Sequence, residues 1–175
     1  MAEYPAHLVR TRHLFDGTAV TIRPVRPQDA AAEQAFIKHL SKDSRHSRFM
    51  GSMRELSPRK LEQFTAVDYD RHMALVATVQ RDGREVEIGD ARYVMNPDGA
   101  SCEFAIAVDD AWQGSGVAGL LMAELIDAAQ ARGLKTMEGL VLASNQKMLK
   151  FARQLGFTRH RAGEDWETVR VTRSL

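Results

Sequence analysis

The chain has 175 residues, with 24 Lys and Arg against 23 Asp and Glu and a net charge of +1. That length suits one well-buried domain, 1–175, and is too short for a two-domain dehydrogenase. The balanced charge provides no overall basic field for nucleic acid or an anionic membrane, so any anion site has to be local.

The N-terminal MAEYPAHLVRTRH alternates charge and polarity and lacks the apolar core of a signal peptide. No later run approaches the ~20 apolar residues of a membrane span. The only cysteine is Cys102, which fits a reducing cytoplasm. AVTIRPV, 19–25, alternates in the manner of a first strand ending at Pro24. Pro27 and Asp29 then start a helix whose face holds Ala32, Ala35, Phe36 and Leu40. The polar SKDSRHSRFMG, 41–51, reads as a loop, and Ser57-Pro58 opens a second helix carrying Leu61, Phe64 and Val67.

MALVATVQ, 73–80, and VEIGDARYVM, 86–95, are strands joined through the hairpin signal Asp82-Gly83. Asn96-Pro97-Asp98-Gly99 turns the chain into a fourth strand, SCEFAIAV, 101–108, which makes three antiparallel strands in succession. A long helix spans about Ser115–Ala131, with Gly133 as its stop. TMEGLVLA, 136–143, is the fifth strand, followed by a helix from Ser144 to Gln154 and strands near 157–160 and 166–173.

Gly114, Gly116 and Gly119 spell G-x-G-x-x-G, the dinucleotide pattern. The context is wrong for it, because five residues, Asp109 to Gln113, separate the strand from the first glycine. Glu138 falls early in its strand instead of at the end, where a ribose acid must project. The loop still offers backbone N–H groups at a helix N-terminus, with no Cβ on Gly114 or Gly116 to obstruct a phosphate. A pyrophosphate fits this chemistry better than a ligand-free glycine start. From Gly139 to Gly163 there is no Asp or Glu, whereas Lys147, Lys150, Arg153, Arg159 and Arg161 fall inside. Any one of these reads equally well as a solvated face, but the acid-free window favours a polyanion. The six histidines include no H-E-x-x-H and no cysteine partner at zinc spacing, so no metal is expected.

Gln113-Gly114-Ser115-Gly116-Val117-Ala118 after a strand resembles the Q/R-x-x-G-x-G/A motif of the GNAT superfamily of N-acetyltransferases. SNQKMLKFARQLGF, 144–157, is similar to that superfamily's closing helix. TIRPVRPQDA at 21–30, RFMG at 48–51, LSPRKLEQFTAVDYDRHMALVA at 56–77 and CEFAIAVDDAWQGSG resemble the acetyltransferase domain of bacterial Pat-type protein lysine acetyltransferases. The likeness covers about Tyr4 to Phe157. It implies an α+β (mixed α/β) GNAT fold: a central, mostly antiparallel sheet of six to seven strands flanked by about four helices, splayed between strands four and five. No nucleotide-sensing or acyl-CoA-synthetase-like region fits in the chain, so regulation by such modules is not expected.

The resemblance further implies acetyl-CoA as donor. The backbones of Ile106 and Val108, with Ala107 between them, would pair with the pantetheine arm. Gln113, Gly114, Ser115, Gly116, Val117 and Ala118 would bind the pyrophosphate, and Asn145 the pantetheine or cysteamine region. An acceptor lysine of pKa about 10.4 is neutral in only roughly four molecules per ten thousand at pH 7, so a base is needed. The EFA pattern makes Glu103 that base, with burial raising its pKa or a water relaying the proton. Taken without the family, Glu103 is an outward strand glutamate. The position aligned with the family's acid tyrosine is Ala152, leaving Tyr69 or Tyr93 as substitutes or as packing residues. Cys102 reads as buried and inert. Arg45, Arg48 and Phe49 are candidate acceptor-side contacts. The expected acceptor is a protein lysine, with acyl-CoA synthetases as a candidate partner. A small amine such as a polyamine or antibiotic, served by Asp68, Asp70 and Asp90, and a non-catalytic acetyl-CoA-binding regulator are the alternatives.

Overall fold

The computed structural model describes residues 2–161 and 165–175; the end of the acid-free window, 162–163, lies outside them. Two strands come first, β1 (Arg10–His13) and β2 (Ala19–Pro24), paired antiparallel. The sequence pattern does not anticipate β1. All four of its residues are exposed, so it has no alternating apolar signal, and it forms as a charged edge on β2.

Helix α1 (Ala30–His39) begins where Arg23 grips the Asp29 carboxylate through two hydrogen bonds of 2.8 Å and the Arg26 N–H donates to it at 2.7 Å. Residues 42–49, expected as loop, are instead helix α2 (Lys42–Phe49). Ser41 Oγ accepts from the Ser44 N–H to start it, and Met50 ends it in a left-handed conformation, φ 55°. No side chain of α2 is buried, which is why it lacks apolar periodicity. Helix α3 (Pro58–Thr65) follows from its Ser57 cap, as expected, but ends before Val67, which packs with Val25, Ala74 and Val76 instead of lying on the helix face.

The hairpin of β3 (His72–Arg81) and β4 (Arg84–Met95) turns at Asp82 and Gly83, with φ of 53° and 73°. Strand β5 (Ser101–Val108) returns antiparallel on β4 after a turn in which Asp98 accepts from the N–H groups of Ala100 and Ser101. There follow α4 (Val117–Ala131), β6 (Thr136–Leu142), α5 (Gln146–Gln154), β7 (Thr158–Arg161) and β8 (Thr168–Ser174). The described residues thus hold eight strands and five α-helices, against the six to seven and about four expected. The strands form one sheet, in the order β1-β2-β3-β4-β5-β6-β8-β7.

On one face Val117, Leu121, Leu125 and Ala128 of α4 join Leu149 and Ala152 of α5 and the inward residues of the strands in the main core. The other face is covered by a smaller cluster of Phe36, Ile37 and Leu40 with Leu56 and Phe64. Strand β6 runs parallel to β5 only over Ser101–Glu103 against Thr136–Glu138, and beyond these three pairs the strands part. This is the expected splay. At the first parted position the Phe104 ring, 5.0 Å from that of Phe157, occupies the space where a Cβ on Gly139 would come within 2.5 Å of Phe104 Cε1. Among the described residues no helix is long and apolar enough to cross a membrane.

Candidate active site

The parting of β5 and β6 opens a cavity of about 800 Å³. Its walls are β5 from Phe104 to Val108, the loop and first turn of α4, the start of α5, and α2. Along this stretch β5 has β4 on one side and no strand on the other, so part of its backbone N–H and C=O groups face the opening.

The mouth is built by the glycine loop. Gly114 and Gly116 have φ of 79° and 100°, conformations that a side chain disfavours, and nothing lies within 4 Å of a Cβ on Gly114 or Gly119. Helix α4 has no side-chain cap and no acid in its first turn, so its leading N–H groups and the positive end of its dipole remain available. Gln113 steadies the loop, since its Nε2 donates to the Val108 carbonyl at 3.1 Å and to Ser44 Oγ at 3.2 Å. The donor set therefore fits a pyrophosphate at the mouth and an extended, amide-bearing arm along β5.

Of the residues expected to bind the donor, Ile106, Ala107, Val108, Gln113, Gly114, Gly116, Ala118 and Asn145 line this cavity. Ser115 and Val117 do not. The Ser115 hydroxyl and N–H both donate back to the Trp112 carbonyl, at 2.5 and 3.2 Å, and the Val117 side chain is buried in the main core, which leaves the Val117 N–H as the available group. Asn145 Oδ1 accepts from the Met148 N–H to cap α5, leaving its amide nitrogen as a donor. Of the five basic residues in the acid-free window only Lys147 lines the cavity. Arg159 and Arg161 border a separate depression, where Arg161 stacks on Trp166 at 3.9 Å.

Glu103 lies on β5, opposite Val94 of β4 and Glu138 of β6. It is exposed instead of buried and is not part of the cavity wall, although Ala105, two residues along on the same face of the strand, is. The burial expected of it is therefore not found. Neither tyrosine replaces the missing acid: Tyr93 is buried in the core, and the Tyr69 hydroxyl donates to the Val25 carbonyl at 2.6 Å. Ala152 is packed in the core, and burial, reinforced by Glu138, pushes the Cys102 thiol up to about 12.

Sequence reasoning missed the charged cluster beneath α1 and α3. Arg92 Nη2 and Nε hold Asp90 at 2.5 and 3.1 Å, and Arg92 Nη1 donates to the Phe64 carbonyl at 3.0 Å and to His72 Nε2 at 3.1 Å. Asp90, expected to offer an acid to an acceptor cleft, is thus fully engaged. Burial alone would raise it, but Arg92 holds its carboxyl below the usual range. Glu33 is wholly buried, 3.7 Å from Arg92. Burial and then the charge of Asp90 push it up to about 8, and Glu87 is raised for the same first reason. Neither Glu33 oxygen accepts a hydrogen bond from a fixed donor, so a proton held between these carboxyls satisfies them. Oxygens of Glu33, Glu87 and Asp90 lie within 4.8 Å of one another, but the cation among them is the Arg92 guanidinium. The available signal was Glu33 itself, placed on the apolar face of α1 with Phe36 and Ile37.

A sheet opened at this single junction, with backbone donors for an anion at its mouth, is the framework of the GNAT acyltransferases. Residues 19–158 match the family described as the acetyltransferase (GNAT) domain. The chain belongs to this family. It is 40% identical to acetyltransferase PA5475 of Pseudomonas aeruginosa over 152 residues, 87% of this chain and 82% of that one. It is 33% identical to acetyltransferase Pat of Mycolicibacterium smegmatis over 136 residues, 77% of this chain and 40% of that longer protein. Among solved structures the GNAT domain of S. lividans PAT superposes with a TM-score of 0.90 at 31% identity, covering 99% of this chain and 100% of that one.

Proposed function

We propose that this GNAT N-acyltransferase uses acetyl-CoA to acetylate the ε-amine of protein lysines, residues 1–175 acting as one domain in a reducing cytoplasm. The observation that supports the donor is the uncapped α4 N-terminus behind Gly114 and Gly116, opening onto the unpaired side of β5. The protein acceptor is supported by the likeness to Pat-type relatives across the whole fold. The three acids expected to serve a small cationic amine are engaged elsewhere. Asp68 accepts from the N–H groups of Asp70, Arg71 and His72, Asp70 pairs with Arg132, and Asp90 is locked by Arg92.

Acetyl-CoA supplies an activated thioester. In this reading Gln113–Ala118 hold its pyrophosphate, Asn145 donates to its arm, and the amides of Ile106 and Val108 align it along β5. Glu103 then draws the proton from the lysine ammonium through a water, the freed amine attacks the thioester carbonyl, and a β5 amide stabilises the oxyanion. Collapse of the adduct expels the thiolate, a tolerable leaving group near its pKa, and the amide nitrogen gives up its remaining extra proton to that thiolate.

Incubating an AMP-forming acyl-CoA synthetase with acetyl-CoA and the protein tests this, with acetyl-lysine read by mass spectrometry. Site-specific modification by the wild type, reduced by roughly 10²-fold or more in Glu103→Gln, is expected for loss of a general base. No modification with acetyl-CoA binding intact removes this acceptor class. Equal turnover and the same pH profile in the variant move the base elsewhere.

A further inference from the structure

The turn joining β1 to β2 carries a phenylalanine that packs on nothing. Phe15 has a relative exposure of 103%, whereas its neighbour Leu14 is buried beside the glycine loop, its Cδ2 4.0 Å from where a Cβ on Gly116 would stand. The turn is well held. Leu14 N–H donates to the Thr18 carbonyl, Gly17 N–H to the Leu14 carbonyl and Thr18 N–H to Asp16 Oδ1, each at 2.9 Å. A lone exposed Phe needs no explanation in general. This one lines the same cavity as Gly114, Gly116 and Gly119, on a turn whose Leu14 lies beside their loop.

The pyrophosphate of a coenzyme A thioester joins two different halves. With the pantetheine half running inward along β5, the nucleoside half has to lie outside the glycine loop, at the mouth. Trp112 also borders this region but is partly buried against the main core, so Phe15 is the aromatic ring whose faces are free there. We propose that Phe15 is the platform on which the adenine ring of the donor stacks. The inference rests on the reading of the cavity as the acetyl-CoA site. It assigns the β1–β2 turn, whose strand β1 is otherwise only a charged edge, to recognition of the nucleoside.

Calorimetry on wild type, Phe15→Ala and Phe15→Trp, each with coenzyme A, 4′-phosphopantetheine and adenosine 3′,5′-diphosphate, tests it. Stacking of one base predicts that Phe15→Ala weakens coenzyme A and the diphosphate by about fivefold or more, leaves phosphopantetheine unchanged, and that Phe15→Trp restores binding. Unchanged coenzyme A affinity in Phe15→Ala overturns the platform while leaving the donor site standing. Equal weakening of phosphopantetheine overturns it too, because the ring would then act through the loop. Failure of the wild type to bind either coenzyme A or phosphopantetheine overturns the donor reading and the platform together.

Discussion

Phe104 meets Gly139 where β5 and β6 part. A methyl group on Gly139 would meet the Phe104 ring at 2.5–2.9 Å, in a core where the ring also packs on Phe157. Gly139→Ala is therefore expected to cost about 1–3 kcal/mol by overpacking and to raise the KM for donor, since Phe104 also lines the cavity. Combined with Phe104→Leu it should cost less than the two changes summed, which urea unfolding of the four-member cycle measures; additive costs would mean that the ring is not what Gly139 accommodates. None of this was legible from the sequence. Gly139 reads there as one glycine in a strand, and only the fold brings it to Phe104. The glycine loop was legible, because positive φ and a bare helix start are local properties of Gly114 and Gly116. Glu103 was legible only through the family pattern, and its exposure on β5 was not.

Elements whose stability comes from apolar packing were readable from periodicity, as α1, α3, α4 and β3–β6 show. Strand β1 and helix α2, which bury no side chain, were not. Helix α2 buries no side chain, yet its start is pinned by Asp110, whose oxygens accept from the Ser41 N–H at 2.9 Å, the Ser41 hydroxyl at 2.8 Å and the Ser44 hydroxyl at 2.9 Å. Asp110 precedes the glycine loop, so this clamp ties α2 to the loop that forms the cavity mouth. Arg48 of α2, its guanidinium 4.7 and 5.6 Å from the rings of Phe49 and Phe64, lines the cavity wall. Arg45 instead donates to the Lys38 and Leu40 carbonyls and is structural. Asp110→Ala should speed amide exchange across residues 45–50 severalfold while β3 and β4 stay protected, as followed by mass spectrometry. Unaltered exchange would show that Phe49 and Arg48 hold the helix without the clamp.

The buried charges set how the whole molecule responds to pH. Folded Glu33 keeps its proton up to about 8, whereas its ordinary value is 4.5, so between these values the folded state binds more protons and stability falls as pH rises. His72 works in the opposite sense lower down: burial, then Arg92, push it from 6.5 to about 4, and its contribution is lost as pH falls through that interval. The two slopes oppose each other below pH 6.5, and above it only the carboxyl slope remains. Wild type should lose on the order of 1–2 kcal/mol between pH 6.5 and 8, and Glu33→Gln should flatten that decline. Denaturant titrations at several pH values decide this; the same slope in both proteins would place the proton elsewhere. The splay has a consequence of another kind. It is closed where β5 and β6 rejoin at Glu103 and open at Gly114, so the slot has a direction. A donor bound as proposed would carry its charge at the open end and its far tip toward Ala105. Candidate substrates are thereby sorted by which end is reactive before size or shape is considered.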